Sequence, residues 1–527
     1  VTIPDSVKSI GASAFKNCWN LTKAYIDAKY IGESVFENCS KLTEISLDNV
    51  EVIGNNAFKN CTSLVSVSSD SVTKIGDYAF AGCKNLETID FDKVTSIGEY
   101  AFATLDNQSG NKLTSINFGN TLTMIGDYAF YGSLNVTSVN IASSNLVIGK
   151  FAFSNLTSLE TFTSGKVEYI SECMFANDEK LKKVNISGIK HIDGGAFMSC
   201  TALEKIDLSN VEYIGMEAFT SCLGLTQVNL PKVKVLEAGA FIMCNNLTIV
   251  NIPVVERVEA QSLSCIGVES IALPETLKHI APTAFYYNIN MTKFTNLKGE
   301  DTCVINDYIT LDEGVLYTTT ANNKLLLTSY PTAKSNDSYE VLFGTVRVDE
   351  YAGYFNTNLV TLVLPDTLEF IGNMAFYGCT KLNTVEFKSV KAPTLEGTVS
   401  DLGIEYDPSS EIYQLLNKYF QFNGYYPLYY AQFKDLVGKA KKMNIVIPAN
   451  EDVSGYDNIL YQLYFDLENM VVSSYEALDS YSIDYLNKVS LISDDVSLSD
   501  EYIIQDARTA YNVLTQDLTK YGYSKEN

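Results

Sequence analysis

Ile31-Gly32-Glu33-Ser34-Val35-Phe36-Glu37-Asn38-Cys39-Ser40-Lys41-Leu42-Thr43-Glu44-Ile45-Ser46-Leu47 carries two signatures in one run. The first is Ile-Gly, two variable residues, a small residue and Phe. It returns as Ile53-Gly54 to Phe58, Ile75-Gly76 to Phe80 and Ile97-Gly98 to Phe102. The Phe slot continues through Phe130, Phe153, Phe175, Phe197, Phe219, Phe241, Leu263 and Phe285, and reappears at Phe376. Most steps are 22 residues, and a longer one of 28 before Phe130 is explained by a polar insertion around Leu105 to Lys112. The second signature, L-x-x-I-x-L, recurs as Leu203-Glu204-Lys205-Ile206-Asp207-Leu208. Alternation with period two predicts a strand whose apolar side faces inward.

A unit this short cannot enclose its own core, so each coil has to bury its Leu, Ile and Phe against the next. At roughly 1.5 to 3 kcal/mol per fully buried large apolar side chain, that stacking decides the fold. About fifteen parallel strands at roughly 4.8 Å spacing predict a long parallel sheet on the order of 70 Å. The Gly after Ile supplies a tight turn or a close backbone approach. Ser171, Asp193, Glu237, Glu259 and Ala281 stand in its place in other coils, so a positive φ is not obligatory there. Gly314-Val315-Leu316-Tyr317 and Lys324-Leu325-Leu326-Leu327, joined across Ala321-Asn322-Asn323, predict a β-hairpin inserted at about 300–345, and Gly353 takes the Phe slot just beyond it.

The full pattern I-G-x-x-A-F-x-x-C-x-x-L-x-x-I-x-L is often followed by Pro, as at Pro4, Pro231, Pro274 and Pro365. It resembles the BspA-type leucine-rich repeats over approximately residues 1–393. The resemblance implies a right-handed solenoid, exported or surface-attached in bacteria and some parasitic protists, that binds host matrix proteins or other cells.

After Pro393 the pattern stops. Leu436, Ala440 and Met443 form one helical stripe, Leu460, Leu463, Leu467 and Met470 a second, and Ile503, Ala507, Ala510, Leu514 and Leu518 a third. Ser499 before Asp500-Glu501 reads as an N-cap with an acidic first turn. The expectation is therefore α+β overall: a leucine-rich-repeat solenoid over 1–395, then a small all-α helical bundle over 396–527. The end of that segment resembles the FIVAR helical modules of bacterial surface proteins.

The formal net charge of -25 repels nucleic acid and anionic membrane surfaces, which need clustered Lys and Arg. No apolar run approaches the length of a membrane-spanning helix. The chain opens as Val1-Thr2-Ile3-Pro4, the second half of a repeat, so the natural start is expected upstream.

Eight of the 11 cysteines fall three residues after the Phe slot: Cys18, Cys39, Cys61, Cys83, Cys200, Cys222, Cys244 and Cys379. Equivalent positions on adjacent coils point the same way at roughly 4.8 Å, whereas a disulfide needs converging Cβ atoms near 3.8 Å. A ladder of buried reduced thiols is expected, with no metal and no cofactor. The two histidines, His191 and His279, share the slot before the repeat Ile but lie four repeats apart, on the order of 20 Å, too far for one site. Asn450-x-Asp452-x-Ser454-Gly455-Tyr456 echoes a calcium loop, but the bidentate Glu is replaced by Tyr461, which favours an ordinary polar loop. No catalytic constellation emerges, and the chain is read as a non-enzyme.

The extended candidate site is the solvent side of the strands, one residue after each strand Ile. Asn117, Asn140, Asn185, Asp207, Asn229 and Asn251 are its candidate ligand-binding residues. Aromatic and Arg anchors of the usual hot-spot kind are few in this row. Tyr25 with Trp19, and Tyr351, Tyr354 and Phe355, are alternative anchors. The functional expectation is a bacterial surface or secreted adhesin, taking protein or glycan ligands of a host or neighbouring cell through the solenoid, without nucleic acid or membrane insertion. The alternatives are a structural envelope protein that self-associates, and an enzyme with its site in the C-terminal region.

Overall fold

The two signatures form two hydrogen-bonded sides of each coil. A computed structural model describes residues 1–104, 110–372, 374–389, 393–395, 443–447 and 470–474, and among them none is helical. The chain divides into two compact units, Val1–Gly267 and Val268–Asn527, a boundary inside the solenoid expected over 1–395.

In the first unit the L-x-x-I-x-L segments pair in parallel, coil on coil. Thr2–Ile3, Lys23–Ile26 and Glu44–Ser46 form one block, and Ser115–Phe118, Ser138–Ile141, Thr161–Lys166 and Lys183–Ser187 another. Ser66–Ser68 with Thr88–Asp90, and Gln227–Asn229 with Ile249–Asn251, are two-stranded blocks. The expected uninterrupted sheet is thus a series of blocks. Beyond the 115–187 block, Lys183 makes an isolated bridge to Lys205, and the segment 203–208 forms no strand. The regular ladder runs on the other side, where the residue before the repeat Ile and the Ile itself make two-residue parallel strands. Seven pair in succession from Ser9–Ile10 to Val147–Ile148, and another run continues from Tyr169–Ile170 through Arg257–Val258.

The Ala-Phe segment adds a third ladder of alternate amides: Ser34 N donates to Asn55 O at 2.8 Å, Phe36 N to Ala57 O at 2.7 Å and Asn38 N to Lys59 O at 2.8 Å. Two residues per coil take positive φ to make this possible, as at Asn56 (55°) and Asn60 (58°). Asn tolerates that region better than most side chains. The amides also bond one another, Asn38 Nδ2 to Asn17 Oδ1 at 2.9 Å and Asn60 Nδ2 to Asn38 Oδ1 at 3.0 Å. Tyr78, Tyr100, Tyr128 and Phe151 hold the same unfavourable φ and stack on one another at 4.6 to 4.8 Å between ring centroids, a contact that offsets the backbone cost.

The Gly after Ile has no positive φ at 32, 54, 76, 98, 126, 149 or 215; its role is close approach. A Cβ on Gly54 would lie 2.8 Å from Gly32 C, and one on Gly215 2.6 Å from Gly194 N. Beneath these ladders the Phe side chains from Phe15 to Phe241 form a continuous stack, with neighbouring centroids 5.1 to 6.2 Å apart.

The thiols beside that stack are free and buried in most coils. The ladder thiols from Cys39 onward donate to the Phe-slot carbonyl of the preceding coil, as in Cys61 Sγ to Phe36 O at 3.2 Å, Cys222 Sγ to Phe197 O at 3.1 Å and Cys244 Sγ to Phe219 O at 3.0 Å. Burial pushes the Cys83 and Cys244 thiols up to about 12, so the reactive thiolate is suppressed. Native protein treated with iodoacetamide should alkylate the exposed Cys18, with ladder peptides labelled only after denaturation. Ladder peptides labelled as fast as the Cys18 peptide would contradict the interlocked packing.

The second unit begins with parallel strands Ser270–Leu273 and Lys293–Asn296. An antiparallel meander follows, Cys303–Asn306, Ile309–Asp312, Val315–Thr319 and Leu325–Ser329. The expected hairpin is its last turn. Thr345–Val348, Phe370–Ile371 and Thr394–Leu395 extend that sheet in parallel. Tyr317 and Tyr339 join their hydroxyls at 2.7 Å in the core beside it, and Tyr339 donates to Asp312 Oδ2 at 2.9 Å. The Gly353 slot is filled from the next coil, because a Cβ there would sit 2.4 Å from Phe376 Cδ1.

A second sheet of this unit runs Ser338–Glu340, Thr361–Leu364, Thr384–Phe387, Met443–Ile447 and Met470–Ser474, all parallel. This corrects the helical reading at two points. Met443 and Met470, expected on helical stripes, open strands in register with the repeat strand at 384–387. The rest of the expected bundle, Ser499, the FIVAR-like end and the loop at 450–461 lie outside the described residues.

Candidate functional site

The strand register brings three of the six candidate residues into one row. Asn117 pairs with Asn140, Asn140 with Thr163 and Thr163 with Asn185, all on the same side of the block 115–187. Beside them runs a second outward row, Ser115, Ser138, Thr161 and Lys183, in the same register. The Asn residues are exposed, while Ile116, Val139, Phe162 and Val184 alternate inward and are buried. The result is a flat panel of amides and hydroxyls on a stiff backing. Part of its hydrogen-bonding capacity is internal: Asn185 Nδ2 donates to Thr163 Oγ1 at 3.1 Å and Asn117 Nδ2 to Ser115 Oγ at 3.2 Å. A side-chain amide carries two donors and two acceptor lone pairs, so capacity for a ligand remains.

The other three candidates lie apart. Asn229 and Asn251 pair in their own two-stranded block, where Asn251 Nδ2 donates to Asn229 Oδ1 at 2.7 Å. Asp207 lies outside any strand, and its carboxylate accepts from Ser209 N at 3.0 Å, closing a turn. The hydrogen bonds of Ser209 hold that carboxyl below its ordinary range. The six are therefore not one continuous surface ladder, because the strand is lost at the Asp207 coil.

The alternative anchors differ in kind. Trp19 is exposed, and Tyr25 donates to Glu44 Oε1 at 2.7 Å. In the second unit Tyr351 is buried and packs on Tyr286 at 4.9 Å, within an aromatic cluster with Tyr287, Tyr354, Phe355 and Tyr377. Core filling accounts for Tyr351. His191 is stacked between Tyr169 and Tyr213 on the short-strand ladder, at 4.9 and 4.4 Å, with Nε2 2.8 Å from Asp193 Oδ1. His279 is exposed on the strand His279–Ile280 of the second unit. Among the described residues no cluster of His, Cys, Asp and Glu could hold a metal, and no helix could cross a membrane.

One chemically active group escaped the sequence reading. Asp178 takes the slot that carries Cys200 in the following coil and is fully buried, with Oδ1 accepting from Leu156 N at 2.7 Å and Oδ2 without a partner. Its displacement of the ladder Cys was the available signal. Burial pushes its carboxyl well above the ordinary range, so the folded chain keeps a proton that the unfolded chain releases above about pH 4. Its contribution to stability therefore falls as pH rises from there toward the folded value. Asp178→Asn keeps the acceptor for Leu156 and removes the ionisation. The variant should match the parent near pH 4 and exceed it progressively toward neutral pH in urea unfolding. Parallel pH profiles for the two proteins would contradict this.

A family model described as BspA type leucine rich repeat region matches the chain in six copies over residues 1–109, 73–204, 190–308 and 347–396. Among solved structures, the chain is similar to a leucine rich cell surface protein from Faecalibacterium prausnitzii, at 19% identity over 74% of this chain and 93% of that one, with a TM-score of 0.44. It is also similar to a leucine-rich repeat protein from Bacteroides ovatus, at 23% identity over 56% and 86%, TM-score 0.28. A third is the pneumococcal vaccine antigen PcpA, at 14% identity over 73% and 85%, TM-score 0.25. No curated protein matches the chain.

Proposed function

The chain belongs to the BspA-type leucine-rich-repeat family, and from that premise we propose that it is a non-enzymatic recognition protein of a bacterial surface or secretion. Its ligand is a protein or glycan of a host or neighbouring cell, held on the panel formed by Asn117, Asn140, Thr163 and Asn185. The observation that carries this reading is the in-register row of exposed amides over a buried apolar layer. Polar groups held by rigid strands lose little entropy on binding, so modest individual hydrogen bonds add up along an extended ligand. The surface location rests on the family resemblance.

The test is binding of the whole chain to an array of matrix proteins and glycans at physiological salt. The expected result is saturable binding to at least one of them. A structural scaffold is the second reading, favoured by the way Asn229 and Asn251 satisfy each other. It predicts no binding on the array and concentration-dependent self-association in sedimentation.

A further inference from the structure

The short-strand side of the first unit carries an arrangement unlike the amide panel. Tyr169, His191 and Tyr213 stand in register as the first residues of successive two-residue strands. Tyr169 is 60% exposed and Tyr213 36%, large values for aromatics in a row. Two residues along each strand, on the same side, lies the Gly slot, and here acids have replaced Gly: Asp193, Glu237 and Glu259. In two coils the first strand residue pairs with the acid just past the strand. His191 Nε2 meets Asp193 Oδ1 at 2.8 Å, and Arg257 reaches Glu259 Oε1 through Nε at 2.9 Å and Nη2 at 2.6 Å.

The coils between them break the alternation. The Tyr213 coil keeps Gly215, so the position two residues after the ring carries no side chain, and the next coil sets Glu237 two residues after Val235. Glu237 forms no ion pair among the described residues. The adjacent Arg257 is committed to Glu259. Burial first, then Glu259, raises the Glu237 carboxyl above its ordinary range, against the opposing pull of Arg257. The register Ile192–Ile214–Leu236 sets Gly215 between Asp193 of the preceding coil and Glu237 of the following one, and burial, then Glu237 and Asp193, raise the Tyr213 hydroxyl above its ordinary range.

We propose that Tyr213 with Glu237 and Asp193 forms a docking site for an arginine or lysine side chain of a partner polypeptide. The guanidinium would lie along the Tyr213 edge above Gly215 and supply the missing cation for Glu237. A planar cation against an aromatic ring and a carboxylate gains both the ring quadrupole and a charge-assisted hydrogen bond. The chain makes the simpler contact itself, with Lys59 Nζ 4.8 Å from the Tyr78 ring centroid. The net charge of -25 adds long-range attraction for a basic segment. Tyr169, stacked behind His191, extends the surface for the residues flanking the cation. This site is separate from the amide panel and does not depend on the panel binding anything.

The probe is a fluorescein-labelled peptide of serine and glycine carrying two arginines, titrated by anisotropy into the full chain, with a citrulline version as the neutral isostere. Saturable binding by the arginine peptide alone is expected. Glu237→Gln, an isosteric change, should weaken it about tenfold, as should Tyr213→Leu, while Asp70→Asn, which removes the same charge elsewhere, should leave it unchanged. Equal losses in Glu237→Gln and Asp70→Asn would reduce the effect to net charge and overturn the proposal. Binding of the citrulline peptide, or of a neutral oligosaccharide lost in Tyr213→Leu, would overturn it in favour of a non-ionic ligand. Because Glu237→Gln preserves size and hydrogen bonding, the outcome does not hinge on whether Tyr213→Leu folds.

Discussion

Phe130→Ala should cost about 3–5 kcal/mol, the range for emptying a large buried aromatic site. Phe130 is fully buried and stacks on Phe102 at 5.1 Å and on Phe153 at 5.5 Å. The cavity would open between two coils pinned by three hydrogen-bonded ladders, so the backbone cannot collapse to fill it. In a stacked array the interface energy is shared only between neighbours. The loss should therefore appear in hydrogen exchange as faster opening of the coils around Phe102, Phe130 and Phe153, with remote coils of the same unit protected as before. Leu263 in the same slot shows that a smaller apolar side chain is accommodated there, so Phe130→Leu should cost less. A midpoint shift in urea equivalent to under about 1 kcal/mol for Phe130→Ala would contradict the stack as a source of cohesion.

Gly76→Ala is the second large effect, and its cause is different. Gly76 has no positive φ, so alanine adopts its conformation freely. The added Cβ, however, would lie 2.5 Å from Asn55 Oδ1 and 2.7 Å from both Asn55 N and Gly54 C. Two of those three atoms are backbone of the adjacent coil, and Asn55 Oδ1 already accepts from Asp77 N at 2.9 Å. Separating the coils at that point lengthens the ladder bond from Gly76 N to Ile53 O, now 2.8 Å. Overpacking against such a wall should cost about 1–3 kcal/mol or more. Gly119→Ala is the control. Its Cβ would meet only Asp92 O, at an ordinary 3.4 Å, and the lost chain entropy of glycine should make it neutral or slightly stabilising. Equal destabilisation by the two substitutions would show that glycine at 76 is not selected by close approach.

The repeat was legible because Phe, Cys and the strand Leu and Ile recur at fixed offsets, and each offset is a contact with the next coil. The thiol ladder followed from the same spacing. The short-strand ladder was not legible: a two-residue strand such as Lys74–Ile75 has no period of its own, and only its recurrence opposite Val52–Ile53 makes it a sheet. The positive-φ positions were hidden for a related reason, since Tyr100, Phe151 and Glu217 are not residues that announce a left-handed turn. At Met443 the helical period of Leu436, Ala440 and Met443 ends on a residue that the structure places in the strand Met443–Ile447. The better signal was Ile445-Val446-Ile447-Pro448, which repeats the Leu362-Val363-Leu364-Pro365 ending of an established strand.

The candidate site was half legible. The period of two placed Asn117, Asn140 and Asn185 outward, and the register made them neighbours. Asp207 satisfied the same period, yet its carboxylate caps Ser209 N instead of joining a strand row, a local side-chain bond competing with the ladder. The aromatic and acidic surface at Tyr213 needed the structure, because its elements come from separate coils and from departures that look like noise in the repeat. Asp193 and Glu237 each appear merely as a missing Gly until the strands are aligned.

The central claim, that the amide panel on the 115–187 block is the recognition surface, is most directly tested with Asn140→Arg. Asn140 lies in the middle of the row, between Asn117 and Thr163, and its exposed side chain can lengthen without touching the core. Binding of the parent and variant chains to whichever array ligand the parent retains should be compared at equal ionic strength, with unfolding midpoints measured alongside. The account predicts at least about a tenfold loss of affinity with the midpoint unchanged; unchanged affinity in a stably folded Asn140→Arg chain would contradict it.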